Sequence, residues 1–336
     1  MAKQAFYYLE TGSVDPAYNL AFEEYVLTHR TEGDYLILWQ NENTIVIGQN
    51  QNAAAEINVP FVEANGTNVV RRATGGGAVY HDLGNLNYSF ISDAGDAETM
   101  TYERFIEPVT SALRALGMDA EASGRNDILV NGKKVSGTAQ RLVRGRLLYH
   151  GTLLFDSDPE KIAGALHVDE SKFEGKRSRS VRSRVGSIRG ALAQDMTMPV
   201  FWAYIKKALT AGDLTETAIT EEERAAIQKL AAEKYSTYDW TYGRAKPFHF
   251  SARRRFPGGT VEACLDVEQG RIKDAKFYGD FLSLRPLDEP EQALLGAKLS
   301  REDLTRALGA FDLREYFGTI TLEEVIETIL YAGDPE

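Results

Sequence analysis

The sequence predicts an α+β protein: a mixed, largely antiparallel sheet flanked by helices, followed by a smaller α/β accessory domain. Short β-rich segments separated by turn residues crowd residues 35–90. Capped helical segments follow, interleaved with further strands rather than alternating with them one for one. Asn131-Gly132 sits between two extended runs, which is the pattern of a tight antiparallel hairpin.

In chain order, Asp15 before Pro16 reads as a helix N-cap with proline in the first turn. Leu20, Tyr25 and Val26 then give part of an apolar stripe to about residue 30. Strands are expected at 35–39, 44–47, 67–70, 78–80 and 86–90. A helix over about 102–116 precedes the hairpin turn at Asn131-Gly132, whose return runs on into a strand over 147–155. Two more helices are expected at 199–209 and 221–233. A boundary near Ala245, after Tyr238, Trp240 and Tyr242, divides a catalytic domain, 1–245, from an accessory domain, 246–336. There, residues 260–267 alternate, with Val261, Ala263, Leu265 and Val267 on one face and Glu262, Cys264 and Asp266 on the other. Gln269-Gly270 turns the chain into a second strand, and helices follow at 289–295, 301–308 and 322–330.

Composition sets limits. With 336 residues, 43% of them hydrophobic, the chain can fill two ordinary cores. It has no apolar run of about 18 residues and no signal-peptide core at its start. A single cysteine excludes an intramolecular disulfide, and together these features favour a reducing cytoplasm; a monomer is the expectation. A net charge of −11 argues against nucleic acid or a membrane surface as partner. Charge runs the other way over residues 175–189, where Lys176, Arg177, Arg179, Arg182, Arg184 and Arg189 meet no acid.

Two segments carry chemistry. In Arg71-Arg72-Ala73-Thr74-Gly75-Gly76-Gly77-Ala78-Val79-Tyr80-His81-Asp82, two guanidinium groups lead into three glycines. Without Cβ atoms the backbone N–H groups can approach a bound anion, and arginines add forked contacts to phosphate or carboxylate. The dinucleotide fingerprint needs a helix after its glycines, whereas a strand-like run follows here, and no P-loop pattern exists. A bare turn is the alternative for the glycine run. The second segment, Gly124 to Gln140, places Lys134 just inside the returning strand of the hairpin, followed by the small residues Val135, Ser136, Gly137, Thr138 and Ala139. That leaves room for a ligand beside an ammonium group.

Together these motifs resemble the lipoate-protein ligases of the biotin/lipoyl ligase-like superfamily. The similarity rests on residues 71–85, Gly-Arg-Asn-Asp at 124–127, Lys-Val-Ser-Gly at 134–137, His-Gly-Thr-Leu-Leu at 150–154 and Ser-Val-Arg-Ser-Arg-Val at 180–185. Residues 15–24 and 47–52 also look like that family. The resemblance implies ATP and lipoate as substrates, Mg²⁺ carried on the ATP phosphates, and lipoyl-adenylate as intermediate. It implies Lys134 as the residue that contacts both substrates. Arg72, Thr74, Gly75, Gly76, Gly77, Ala78, Val79 and Tyr80 would bind ATP and the adenylate, with Arg72, Gly77 and Lys134 also contacting lipoate. Ser180, Arg182 and Arg184 would belong to an adenylate-binding loop. The implied acceptors are a glycine-cleavage carrier protein or acyltransferase subunits of 2-oxoacid dehydrogenases.

Two other readings are weighed against this one. An octanoyl or lipoyl transferase would carry the acyl group on a catalytic cysteine, but Cys264 lies outside every motif. A non-catalytic lipoate-binding subunit is disfavoured by the presence of Lys134 and of the whole C-terminal region. His81 and Asp82 could serve as acid and base, although a carboxylate nucleophile needs no deprotonation. A fragment ending near Ala245 is expected to keep adenylate chemistry, leaving closure and acceptor docking to the remainder.

Overall fold

The structure is a computed structural model that describes residues 6–95, 102–124, 126–166, 184–210, 214–243 and 248–332. By internal packing the chain falls into two units. The first comprises Met1–Val46, Ile57–Val70 and Val79–Thr237, and the second Ile47–Glu56, Arg71–Ala78 and Tyr238–Glu336.

The strands preceding the second unit's own sheet are β1 (Phe6–Glu10), β2 (Asp34–Trp39), β3 (Thr44–Ile47), β4 (Asn68–Arg71), β5 (Val79–His81), β6 (Asn85–Asp93), β7 (Ala120–Ser123), β8 (Asp127–Val130), β9 (Lys133–Val143), β10 (Arg146–Leu154) and β11 (Thr215–Glu216). Eight of them form one sheet in the order β11-β1-β2-β6-β10-β9-β8-β7, and β4-β3-β5 form a smaller one. The pairings β1–β11 and β1–β2 are parallel, while β2–β6, β6–β10, β10–β9, β9–β8 and β8–β7 are antiparallel. The predicted class, mixed and largely antiparallel, is therefore the observed one. Central β6 shows why: Leu86, Tyr88 and Phe90 alternate with Asn87 and Ser89, and all five are buried. A strand covered on both faces must then satisfy its polar side chains internally.

The helix Pro16–His29 begins as expected, with Tyr18 N donating to Asp15 Oδ1 at 2.8 Å, and buries Leu20, Phe22, Val26 and Leu27. The segment predicted as one helix from residue 102 is divided. A π-helical turn, Tyr102–Ile106, leads into the helix Glu107–Ala115. Pro108 lacks the N–H that would continue regular bonding back across the junction. Likewise Glu221–Leu230 starts on a capping box between Thr220 and Glu223 and passes into a π-helical turn at Ala231–Tyr235.

The second unit's sheet is β12 (Phe250–Phe256), β13 (Gly259–Glu268) and β14 (Arg271–Gly279), antiparallel throughout. Val261, Ala263 and Leu265 are fully buried and pack with Phe277, Phe281, Leu304, Phe317 and Ile329 in that unit's core. The helices Arg301–Leu308 and Leu322–Ala332 stand where the periodicity places them. Cys264, expected on the polar face, is nevertheless buried. Among the described residues no helix is long and apolar enough to cross a membrane.

Candidate active site

The glycine-rich segment is built around two arginines whose guanidinium groups donate to protein oxygens, those of Arg71 to distant backbone carbonyls and those of Arg72 within the segment itself. Arg71 is fully buried. Its Nη1 donates to the carbonyls of Gly48, Gln49 and Gln51 at 2.8, 3.1 and 2.7 Å. Its Nε and Nη2 donate to Thr241 O at 3.2 and 2.6 Å, and Nε also to Trp240 O at 3.0 Å. A guanidinium so used is a scaffold: it folds the loop after β3 around itself. Arg72 donates from Nη2 to the carbonyls of Gly75 and Gly77 at 2.6 and 2.8 Å, and from Nε to Thr74 Oγ1 at 3.0 Å. It thus curls the glycine run into a loop, and Thr74 O accepts from Gln49 N at 2.8 Å.

The glycines differ in what they permit. Gly76 has φ +88°, a conformation that side chains seldom adopt, and its N–H donates to Phe281 O at 3.0 Å. A Cβ on Gly75 would lie 2.7 Å from Ser283 N, whereas one on Gly77 would meet nothing within 4 Å. Gly77 therefore borders open space. Ala78 and Val79 are half-buried, and Tyr80 is buried with its hydroxyl donating to Asn43 Oδ1 at 3.0 Å. Burial first, then Asp82 and Asp158, push the Tyr80 phenol up to about 12, so it stays protonated.

Lys134 lies on β9, in the hairpin formed at Asn131-Gly132. Both turn residues have positive φ, 51° and 74°, as the two-residue turn requires. A register shift between Ile128 and Leu129 sets Leu129 opposite Lys134 and Ile128 opposite Ser136, leaving Val135 as the extra residue of a β-bulge. The Lys134 ammonium is 2.7 Å from Asp127 Oδ1. Lys133, by contrast, is exposed at the tip. Of the two lysines, Lys134 is thus the one beside the bulge and paired with Asp127, and Lys133 the one at the exposed tip.

A buried chain that the sequence reading did not assign crosses the same eight-stranded sheet. Trp39 Nε1 donates to Ser89 Oγ at 2.8 Å, Ser89 Oγ donates to Glu23, and His150 Nδ1 lies 3.0 Å from Glu23 Oε1. Ser89 pairs across the sheet with Ile37 and with His150, and His150 with Ala139. The signal was present: Glu23 stands three residues from both Leu20 and Val26, on the apolar stripe of its helix. A carboxylate buried there must have partners.

His81 and Asp82 take structural positions. His81 ends β5, buried, with Nδ1 3.1 Å from Asn41 Nδ2 and its ring set edge-on to Trp39. Asp82 accepts from Gly84 N and Asp158 N at 2.9 Å each. Ser180 and Arg182 lie outside the described residues. Arg184 precedes Val185, which forms a bridge with Lys134, and Gly186 N donates to Lys134 O at 2.8 Å. Among the described residues no group of three His, Cys, Asp or Glu could hold a metal ion. Burial, and then the Glu262 carboxylate, push the Cys264 thiol up to about 12. The thiolate needed for acyl transfer is thereby strongly disfavoured.

Residues 15–210 match the lipoyl protein ligase A/B catalytic domain, and residues 245–329 match the bacterial lipoate protein ligase C-terminus. The chain is 42% identical over 321 residues to lipoate-protein ligase LplJ of Bacillus subtilis, covering 94% of this chain and 97% of that protein. The crystal structure of P. falciparum LipL1 in complex with lipoate superposes with a TM-score of 0.82 at 26% identity, covering 97% and 99% of the two chains. A lipoate-protein ligase A bound with ATP aligns at a TM-score of 0.63 and 28% identity, over 72% of this chain and 99% of that one.

Proposed function

The chain belongs to the lipoyl protein ligase A/B family, and on that premise we propose how its residues divide the work of an ATP-dependent lipoate-protein ligase. The enzyme activates lipoate as lipoyl-AMP with release of pyrophosphate, then passes the lipoyl group to a lysine of an acceptor protein. In the first step the lipoate carboxylate attacks the α-phosphorus of ATP. A new O–P bond forms as the bond to the pyrophosphate oxygen breaks, and pyrophosphate leaves with the electron pair. In the second, the acceptor ε-amine attacks the acyl carbon, loses a proton and expels AMP.

The first step needs positive charge, because two anions must meet. Lys134 is assigned to that place, between the carboxylate and the α-phosphate, where one well-placed donor contributes about 3 kcal/mol to the transition state. Its half-exposed ammonium on a bulged hairpin, with small residues behind it, is the observation that carries the assignment. Arg72 and the backbone from Thr74 through Gly75, Gly76, Gly77, Ala78, Val79 and Tyr80 are assigned to nucleotide and acyl oxygens. Gly77, whose outer side is open, is the point of closest approach. Arg72, Gly77 and Lys134 also contact lipoate. Arg184, with Ser180 and Arg182, belongs to the loop over the adenylate. Magnesium, the ordinary counter-ion of ATP, would arrive on the phosphates themselves.

The division into a catalytic domain, 1–245, and an accessory domain, 246–336, is part of this proposal and is supported by where the two family matches fall. The protein partner is a lipoyl-acceptor protein. A glycine-cleavage carrier protein and 2-oxoacid dehydrogenase acyltransferase subunits are the proposed ones, in the cytoplasm. The test is lipoate-dependent ATP–pyrophosphate exchange. Lys134→Ala should abolish exchange while leaving the thermal transition in place, and Lys133→Ala should be mild. Equal loss in the two variants would remove the assignment of Lys134.

A further inference from the structure

Asp127, the last residue of the Gly-Arg-Asn-Asp motif, is placed with care. Asn126 fixes the start of its strand: Thr138 N donates to Asn126 O at 2.8 Å, and Asn126 Nδ2 donates to Thr138 O at 3.0 Å. Asp127 then stands opposite Gly137 in the β8–β9 register. A Cβ at residue 137 would lie 3.1 Å from Lys134 Nζ and 3.2 Å from its Cε, so glycine there leaves the path along which the ammonium reaches Asp127. On the other side the Lys134 backbone is held by Gly186 N. The backbone anchor is fixed, and the side chain beyond it is partly exposed.

We propose that Asp127 is a positioning residue, holding the Lys134 ammonium as its counter-ion in the resting enzyme and exchanging it for the anions of the bound substrates. This inference rests on the assignment of Lys134 above. The pair suits an exchange. Its side chains are 39% and 31% exposed, and an ion pair so open to water is weak enough for two incoming anions to displace. A deeply buried pair would trap the lysine instead. Asp127 and substrate therefore compete for one cation.

The experiment measures affinity for a hydrolysis-resistant lipoyl-adenylate analogue by calorimetry in the full chain, alongside steady-state pyrophosphate exchange. Asp127→Asn should bind the analogue up to about fivefold more tightly and lower the KM for lipoate similarly, with kcat little changed. Asp127→Glu, which restores a carboxylate, should return both towards wild type, and it also serves if the asparagine variant folds poorly. In a Lys134→Ala background, Asp127→Asn should alter analogue affinity by less than about twofold. Equal tightening in both backgrounds would mean simple repulsion by the carboxylate and overturn the inference. So would weaker binding or an unchanged KM in Asp127→Asn. If the wild-type chain itself shows no lipoate-dependent exchange, the ligase reading fails, a result distinct from any of these.

Discussion

Adjacent residues Arg71 and Arg72 show what a sequence can and cannot disclose about a single side chain. Both read as anion-binding groups beside glycines, and their charge and neighbourhood were legible. The saturation of Arg71 was not, because its acceptors come from residues 48–51 and 240–241, far away along the chain. Lys134 was legible because Val-Ser-Gly follows it and a turn precedes it. Glu24 makes the residue scale testable by pH. Burial works against its ionisation, yet Lys234 at 2.6 Å, Arg141 at 3.6 Å and the Tyr235 hydroxyl hold it below its ordinary 4.5. A carboxyl with a depressed folded-state pKa contributes stability that is present above the unfolded value and lost as pH falls through the folded one. Glu24→Gln should therefore cost about 1–3 kcal/mol at pH 7, with the deficit shrinking as pH drops through 4.5 and below. Urea unfolding of both proteins at several pH values measures this. A deficit of equal size at every pH would show that charge plays no part.

At the scale of elements, turn chemistry explains both what was legible and what was missed. Asn131-Gly132 and Gln269-Gly270 were read as turns, and each has positive φ at both positions. Arg144-Gly145 makes the same kind of turn between β9 and β10, with φ of 49° and 80°, but arginine gives no signal there. Strand β12 was missed because Arg253, Arg254 and Arg255 interrupt its apolar alternation, as charges often do on an edge strand. The glycine-rich element separates shape from binding. A Cβ on Gly48 would come within 2.0 Å of Gly76 O, so Gly48→Ala must displace backbone, at a cost of about 1–3 kcal/mol or more. Gly77→Ala meets no neighbour and should leave the melting temperature near wild type. If Gly77 is where a substrate oxygen approaches, the same change should weaken the adenylate analogue by about tenfold, or about 1.4 kcal/mol. Calorimetry paired with melting curves distinguishes the two substitutions. Native affinity in Gly77→Ala would reduce the run to a turn.

For the whole molecule, sequence and packing draw the division in different places. The first family match ends at residue 210 and the second begins at 245, whereas packing groups Ile47–Glu56 and Arg71–Ala78 with Tyr238–Glu336. Within that second unit Gly76 N donates to Phe281 O, Gly279 N to Asn50 O at 2.8 Å and Asn50 Nδ2 to Ser283 Oγ at 3.0 Å. Linear motifs could not reveal this, since the contacts join segments more than 200 residues apart, as Asn50 and Ser283 are. The consequence reverses the expectation that a fragment ending near Ala245 keeps adenylate chemistry. Such a fragment would keep the bonds of Arg72 to Thr74, Gly75 and Gly77 but lose the acceptor of Gly76 N and both partners of Asn50, leaving the loop N–H groups less firmly arranged, and preorganised donors lose their effect when they are free to move. Residues 1–245 alone should therefore be deficient in lipoate-dependent pyrophosphate exchange by at least about 100-fold. Adding residues 246–336 as a separate chain should restore part of the activity, and native-state hydrogen exchange should show Gly75 to Gly77 protected only in the reconstituted protein. A fragment that activates lipoate at the wild-type rate would show that the loop holds its shape unaided and that the C-terminal residues act in transfer alone.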